Sequence, residues 1–189
     1  MSKWAVERYC DIYCQHEGFD IVSLRYGIVY GEREWYGRAL TAFVKRAIEG
    51  KDLVVFGEGR VVRDFIHVED VARLNLMVTA KGVRGHVVLN VGTGLPTTIR
   101  SLAELLANIV RKQEGRAIPI SHEMIDEGEF SKKLEGRVRL PRELRIMSLD
   151  CSKALGMYGW KAEVGLEDGL KREYAWIREN SRRWTKMSC

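Results

Sequence analysis

A chain of 189 residues, 46% hydrophobic and 30% charged, is long enough for one to one and a half domains with a sizeable core. No apolar run approaches the roughly 18 residues that span a bilayer, and Glu7, Arg8 and Asp11 interrupt any apolar leader, so neither a membrane partner nor a secretory signal is expected. The formal net charge of +5 raises nucleic acid as a partner, but Lys and Arg alternate with Glu and Asp along most of the chain. Only the tail from Arg178 through Arg182, Arg183 and Lys186 is locally basic, which suits a solvated helix end, so no nucleic acid is expected.

Periodicity predicts a first helix from about Ser2 to His16, with Ala5, Val6, Tyr9, Ile12 and Tyr13 as an apolar stripe, ended by Gly18. A strand from Ile21 to Val29 follows, then a helix from Arg38 to Ile48 with Leu40, Phe43, Val44 and Ala47 on one face, closed by Gly50. Short strands are predicted at Leu53 to Phe56 and Val62 to His67. Glu69 and Asp70 open the next helix against the positive end of its dipole. Val87 to Val91 reads as a strand, and Thr97 or Thr98 as the cap of a helix reaching about Arg111. Ser121 to Arg145 is a long charged stretch with Gly128, Gly136 and Pro141, expected to be a lid or a disordered loop. Two helices close the chain, one from about Cys151 and one from Leu166 to Asn180 with Leu166, Leu170, Tyr174 and Ile177 as its buried face. Alternating strands and helices indicate an α/β layer structure.

Cys10, Cys14, Cys151 and Cys189 show no disulfide or zinc-ribbon spacing, so reduced thiols and a cytoplasmic location are expected. Cys10 and Cys14, with His16 nearby, read as helix-face thiols rather than metal ligands. Asn and Gln are scarce beside the high charge content, which fits a thermophilic source. The pairs Gly57/Gly59 and Gly92/Gly94 lack the third glycine and the βαβ context of a dinucleotide turn. Asn90 to Gly94 reads as a strand end and tight turn rather than a phosphate loop.

Met1-Ser2-Lys3 opens a helix as the end of a Tyr-x-x-x-Lys motif would. Downstream lie Leu24-Arg25-Tyr26-Gly27-Ile28-Val29-Tyr30-Gly31, then Val54-Val55-Phe56-Gly57, then Val62-Arg63-Asp64-Phe65-Ile66-His67-Val68-Glu69-Asp70-Val71-Ala72, then Leu89-Asn90-Val91-Gly92, and finally Asp150-Cys151-Ser152-Lys153-Ala154. In this order they resemble the C-terminal part of the extended short-chain dehydrogenase/reductase family, the NAD-dependent nucleotide-sugar epimerases and dehydratases. The resemblance covers nearly the whole chain. It implies a partial Rossmann-type layer plus the small substrate-binding subdomain, residues 1–189 forming the substrate-binding portion without the dinucleotide-binding half.

The family's properties then attach to particular positions. Lys3 is implied to hold the nicotinamide ribose of NAD and to lower the pKa of a tyrosine four residues upstream, which this chain does not contain. Tyr26 is implied to border the cofactor. Arg63 is implied to clamp the diphosphate of a nucleotide sugar, because a guanidinium offers planar bidentate donors; its structural alternative is an ion pair with Asp64 or Glu69. Phe56 and Val55 are implied to line the base pocket, while also serving as core. The family's Arg-x-Gly-Asp segment maps onto Leu140-Pro141-Arg142-Glu143, so Glu143 would accept the ribose hydroxyl, and Arg142 or Arg139 would replace the arginine that Leu140 does not supply. Ile28 stands where UDP-sugar enzymes carry an asparagine and donates no hydrogen bond. Trp35 and Tyr36 border the sugar site or a neighbouring subunit.

Two physical expectations follow from the resemblance. The strands Ile21 to Val29 and Val87 to Val91 would have an open edge and two exposed faces. The first helix would meet a second copy in a homodimer, or a partner would supply the missing half. The chain alone is expected to bind nucleotide sugar without turnover. The alternatives are a noncatalytic nucleotide-sugar-binding module and a basic interaction protein.

Overall fold

A computed structural model describes residues 2–34, 38–139 and 144–181. The chain runs α1 (Ser2–Glu17), β1 (Ile21–Tyr26), β2 (Ile28–Tyr30), α2 (Ala39–Ile48), β3 (Leu53–Phe56), β4 (Val62–His67) and α3 (Val68–Lys81). It continues through β5 (His86–Val91), β6 (Pro96–Thr98), α4 (Ile99–Glu114), β7 (Ile120–Glu123), α5 (Ser152–Tyr158) and α6 (Leu166–Glu179). Three small sheets result: β1 parallel to β5, β4 between parallel β2 and antiparallel β6, and β3 parallel to β7. The α/β expectation therefore holds, and parallel pairs joined through helices are its signature.

Sequence and structure differ at Gly27. The single strand expected over Ile21 to Val29 is two strands in different sheets. β1 follows β5 in register from Ile21↔His86 to Tyr26↔Val91, and β2 follows β4 from Ile28↔Phe65 to Tyr30↔His67. Gly27 makes the transfer, its N–H still bonded to Val91 O at 2.9 Å while a Cβ at this position would lie 2.7 Å from the Asp64 carbonyl oxygen. Only a residue without a side chain lets the two backbones approach so closely. In the charged stretch expected to be a lid or a disordered loop, residues 121–139 are more ordered than expected. Its first residues belong to β7, and Gly128, Glu129 and Ser131 exchange backbone hydrogen bonds with Arg137 and Arg139 as a hairpin.

One core fills the space between α2, α4, α6 and β3 with Leu40, Phe43, Leu53, Leu102, Leu106, Leu170 and Tyr174; a second, under α3, α5 and β5, centres on Ile66, Leu74, Leu89, Val91 and Trp160. The exposed faces expected for the β1–β5 pair are thus partly corrected, because α5 and the Trp160 segment bury Leu89 and Val91. The edge expectation stands, since among the described residues β1 has no neighbour besides β5.

Two buried aspartates in one seven-residue stretch, Asp64 to Asp70, fix the remaining loops. Asp64, fully buried on β4, accepts from Thr93 N (2.8 Å), Thr93 Oγ1 (2.6 Å), Gly94 N (3.0 Å) and Leu149 N (3.2 Å). Asp70 in α3 accepts from Glu163 N and Val164 N, both at 3.0 Å, and from Arg73 at 2.6 Å, while its carbonyl receives the Trp160 indole N–H at 3.1 Å.

Helix α1 is packed in an unusual sense. Its one buried residue is Glu7, whose carboxylate takes a bidentate pair from Arg25 of β1 at 2.7 and 2.6 Å and is thereby held below the ordinary carboxylate range. One turn further, Asp11 contacts His86 Nδ1 at 2.6 Å, and His86 Nε2 contacts Ser23 Oγ at 2.7 Å. The predicted apolar stripe faces outward, with Val6, Tyr9, Ile12 and Tyr13 all about half exposed or more.

A third buried polar group lies under β2. Tyr30 stacks edge-on against His67 with centroids 5.4 Å apart, and burial raises the phenol and lowers the imidazole pKa. Glu173 of α6 is fully buried beside Glu34, and burial pushes Glu173 up to about 9 and Glu34 up to about 7. Burial and the neighbouring carboxyl favour the protonated form of Glu173, while Arg38 approaches Glu34 at 3.7 Å.

Two outcomes follow. Asp64→Ala strands several buried N–H donors and should lower the unfolding free energy in urea by about 3 kcal/mol. The Glu34 and Glu173 carboxyls have folded pKa values above the unfolded value of 4.5, so their contribution is complete below about pH 4.5 and is lost as pH rises through about 7 and 9. The urea midpoint should therefore fall between mildly acidic and alkaline pH, and Glu173→Gln should flatten that slope; an unchanged slope would refute the raised Glu173 pKa.

Candidate functional site

β3, the turn after it and the 128–139 hairpin enclose two adjoining cavities. The first, about 240 Å³, is walled by Ala39, Ala42 and Phe43 of α2, Val54 and Phe56 of β3, and Leu134 and Val138 of the hairpin, with Arg46, Arg137 and Arg139 as its charged residues. The second, about 510 Å³, contains Arg60, Arg139 and Arg145 together with Glu58 and Glu127. Phe56, Gly59, Val61 and Arg139 belong to both, so the two form one continuous site, one end mostly apolar with three arginines at its rim and the other holding Arg60, Arg139 and Arg145 beside Glu58, which pairs with Arg60, and Glu127. Such a pairing suits a ligand with a flat apolar ring at one end and negative charge at the other.

The local structure places these side chains. Strand alternation sends Val54 and Phe56 to the cavity and Val55, fully buried, to the core. The expectation that Val55 lines the base pocket is corrected to this extent: its side chain is on the opposite face of the pleat. Arg139 is set by the hairpin, its N–H donating to Glu129 O at 3.0 Å and its Nη1 to Ile125 O at 2.5 Å. Glu123, at the end of β7, anchors the same hairpin by accepting from Ser131 Oγ (2.5 Å) and Lys132 N (2.7 Å).

Arg63 lies on β4 opposite Thr97 and donates to Val62 O at 2.8 Å and Leu144 O at 2.6 Å; it is not among the residues walling either cavity. The alternative, an ion pair with Asp64 or Glu69, is not formed, because Asp64 turns to the 92–94 loop and Glu69 pairs with Arg172. That loop cradles an anion, as a phosphate loop would, but the anion is the chain's own carboxylate. Ile28 is a core residue packed on the larger cluster. Leu140, Arg142 and Glu143, like Trp35 and Tyr36, lie outside the described residues.

Lys3 and Tyr26 occupy a second region. The contacts Glu7–Arg25 and Asp11–Ser23/His86 show α1 running antiparallel to β1, one helical turn matching two strand residues. Lys3, a turn before Glu7, therefore sits level with Gly27, at the C-terminal ends of β1 and β5, where open α/β sheets bind their ligands. Tyr26 is at the same end, 43% exposed, its hydroxyl receiving Asn75 Nδ2 at 3.4 Å. Among the described residues no group of three or more His, Cys, Asp or Glu is placed to hold a metal, and no helix is long and apolar enough to cross a membrane.

Reading the sequence missed Arg60, Arg145, Arg46 and Arg137. The signal available was the Gly57-Glu58-Gly59-Arg60 turn after an apolar strand; the hairpin that delivers Arg137 and Arg139 was hidden in a charged stretch without periodicity.

Residues 1–92 match the family described as the NAD dependent epimerase/dehydratase family. A Methanocaldococcus jannaschii protein provisionally named a UDP-glucose 4-epimerase is 33% identical over 187 residues, covering 96% of this chain and 53% of that protein. The GDP-L-fucose synthase of Escherichia coli strain K12 is 30% identical, with 97% and 57% covered. Among solved structures, the UDP-glucose 4-epimerase of Thermotoga maritima with UDP-glucose superposes with a TM-score of 0.75 at 30% identity, over 94% of this chain and 52% of that one. The layer is thus the Rossmann-like one of these epimerases, and the chain spans about half the length of the relatives it matches.

Proposed function

Because the chain belongs to the NAD-dependent epimerase/dehydratase family, we propose that residues 1–189 are the C-terminal, nucleotide-sugar-binding portion of an NAD-dependent nucleotide-sugar epimerase or dehydratase. The observation that carries this reading is the continuous site behind Phe56, with an apolar end for the base and Arg60, Arg139 and Arg145 at the other end for the diphosphate. Guanidinium groups meet phosphate oxygens in pairs, and an aromatic ring stacks on a base. Arg142 and Glu143 continue from Arg139 along the same segment, Glu143 as acceptor for the ribose hydroxyls. Arg63 reaches the diphosphate if it exchanges the Leu144 carbonyl for a phosphate oxygen.

The fit to NAD is partial. Lys3, at the C-terminal strand ends beside Tyr26, suits the nicotinamide ribose, whereas in the glycine loop 92–94 the Thr93 and Gly94 N–H groups point at Asp64 and that of Gly92 at Cys151 Sγ, leaving none for a pyrophosphate. NAD, when bound, supplies the hydride acceptor for the sugar. Lys3 would hold the ribose and favour the phenolate of a tyrosine four positions before it, the base that removes the sugar hydroxyl proton. These 189 residues alone would bind the nucleotide sugar without turning it over.

The outward apolar face of α1, with Val6, Tyr9, Ile12 and Tyr13, would be covered by a second copy in a homodimer. The reading also keeps the cytoplasmic setting and thermophilic source inferred from composition.

Calorimetric titration with UDP-glucose and GDP-sugars should give saturable binding to at least one, and Arg139→Ala should weaken it at least tenfold. Absence of binding to any nucleotide sugar would favour a protein-interaction role. Sedimentation equilibrium should give a dimer that Tyr9→Glu together with Tyr13→Glu returns to monomer; a wild-type monomer at all concentrations would remove the α1 interface.

A further inference from the structure

Glu173 of α6 is fully buried, and among the described residues neither of its carboxyl oxygens has a hydrogen-bond partner. What faces it is a second carboxyl, that of Glu34, at the end of the Gly31–Glu34 turn that follows β2. A buried carboxyl without donors stays neutral, and two carboxyls side by side resist ionising together. We propose that the turn Gly31–Glu34 is a proton-operated strap: it lies closed on α6 while the Glu34–Glu173 pair keeps a proton, and it lifts away when both carboxyls are ionised, loosening the start of α2.

The turn is closely seated and internally strained. Gly31 has φ +141°, and a Cβ there would come 2.7 Å from Val68 Cγ1 and 3.1 Å from His67 Nε2. Gly169, one helical turn before Glu173 on α6, makes room for the Tyr30 hydroxyl, which a Cβ at that position would strike. The Glu34 N–H closes the turn on Gly31 O at 3.0 Å. Arg33, at φ +71°, is the one non-glycine residue with positive φ among the described residues, and it stands third in the turn, where a positive φ normally calls for glycine. The closed turn therefore holds backbone strain that opening relieves.

The surrounding charges make closure depend on protons. Glu32 meets His67 Nε2 at 3.2 Å and Arg172 Nε at 2.9 Å, and Arg172 Nη1 goes on to Glu69 at 2.7 Å, so this guanidinium serves two carboxylates already. Burial and Arg172 lower the His67 pKa, so the imidazole adds no cation above neutrality. From α2 comes Arg38, 3.7 Å from Glu34, with its side chain 57% exposed and its Nη1 donated to Val29 O. Asp70 and Asp168 add negative charge around Tyr30, and Glu114 of α4 faces Tyr174 and Arg178 instead. Burial, reinforced by the Glu34 and Glu32 carboxyls, pushes Glu173 up to about 9, and burial pushes Glu34 up to about 7. An open turn returns both groups to water, so opening releases protons, and closure is lost as pH rises through about 7 and 9. Helix α2 starts a few residues beyond Glu34, and its Ala39, Ala42 and Phe43 wall the first cavity, so release of the strap reaches that wall.

The test is trypsin cleavage after Arg33, exposed in the turn, on the folded chain at pH 6.5 and pH 9.5. A free arginine peptide in the same tube corrects for the protease's own pH dependence. Relative to that standard, wild-type cleavage should rise at least tenfold at pH 9.5, and Glu173→Gln, whose amide stays neutral, should rise less than twofold. Cleavage after Arg111, inside α4, reports unfolding of the whole chain and should stay low at both pH values. An unchanged wild-type rate, the same rise in Glu173→Gln, or a parallel rise at Arg111 would overturn the strap. If Glu173→Gln does not fold, Glu34→Gln takes its place: with one carboxyl left, the rise should shrink at least threefold, and an undiminished rise overturns the proposal as well.

Discussion

A buried carboxylate on the middle strand of the central sheet organises the molecule. Asp64 gathers donors from 92–94, just past β5, and from Leu149, just before α5, so that β4 holds the end of a strand from another sheet and the start of the C-terminal helices. A buried carboxylate is costly unless its oxygens are satisfied, and here backbone N–H groups and one hydroxyl satisfy them. The arrangement also explains Gly92, where a Cβ would fall 2.5 Å from Asp64 Oδ2. Asp70 repeats the device for residues 163 and 164, so that one short stretch of sequence fastens two distant segments.

What could be read from the sequence follows from which features are local. The helices α2, α3, α4 and α6 and the strands β3 and β4 were legible because periodic apolar faces and caps identify them; Thr98, for example, accepts from Ser101 N at 3.0 Å as a cap should. The split at Gly27 was not legible, since it depends on the approach of Asp64 from elsewhere in the chain. Nor was β7, whose Ile-Ser-His-Glu sequence has little strand signature until β3 pairs with it. In the candidate site, Phe56 and Arg139 could be chosen by resemblance, but only the fold distinguishes Val54 from Val55 or brings Arg60 and Arg145 beside them.

The apolar stripe of α1 was legible as a stripe, whereas periodicity alone gave it no direction. Amphipathicity identifies a face that avoids water without saying which neighbour provides the shelter. Within this chain the shelter is not the β1–β5 sheet, to which α1 presents Glu7 and Asp11. Arg25 and His86 thereby set the level of Lys3 along the strands, and a helix held by ion pairs keeps its register more through geometry than through buried area.

The long reach of these fastenings has a consequence for how the chain assembles. Ser23 meets His86 across 63 positions, Asp64 meets Leu149 across 85, and Asp70 meets Val164 across 94. Loop closure must precede the contacts that reward it, so high contact order slows folding. During synthesis β1 emerges well before β5, and Asp64 of β4 and Asp70 of α3 emerge before their donors exist. The N-terminal half should therefore stay loosely organised until α5 and the segment before α6 have emerged, with an open β1 edge and the α1 face exposed to capture by other chains in the interval.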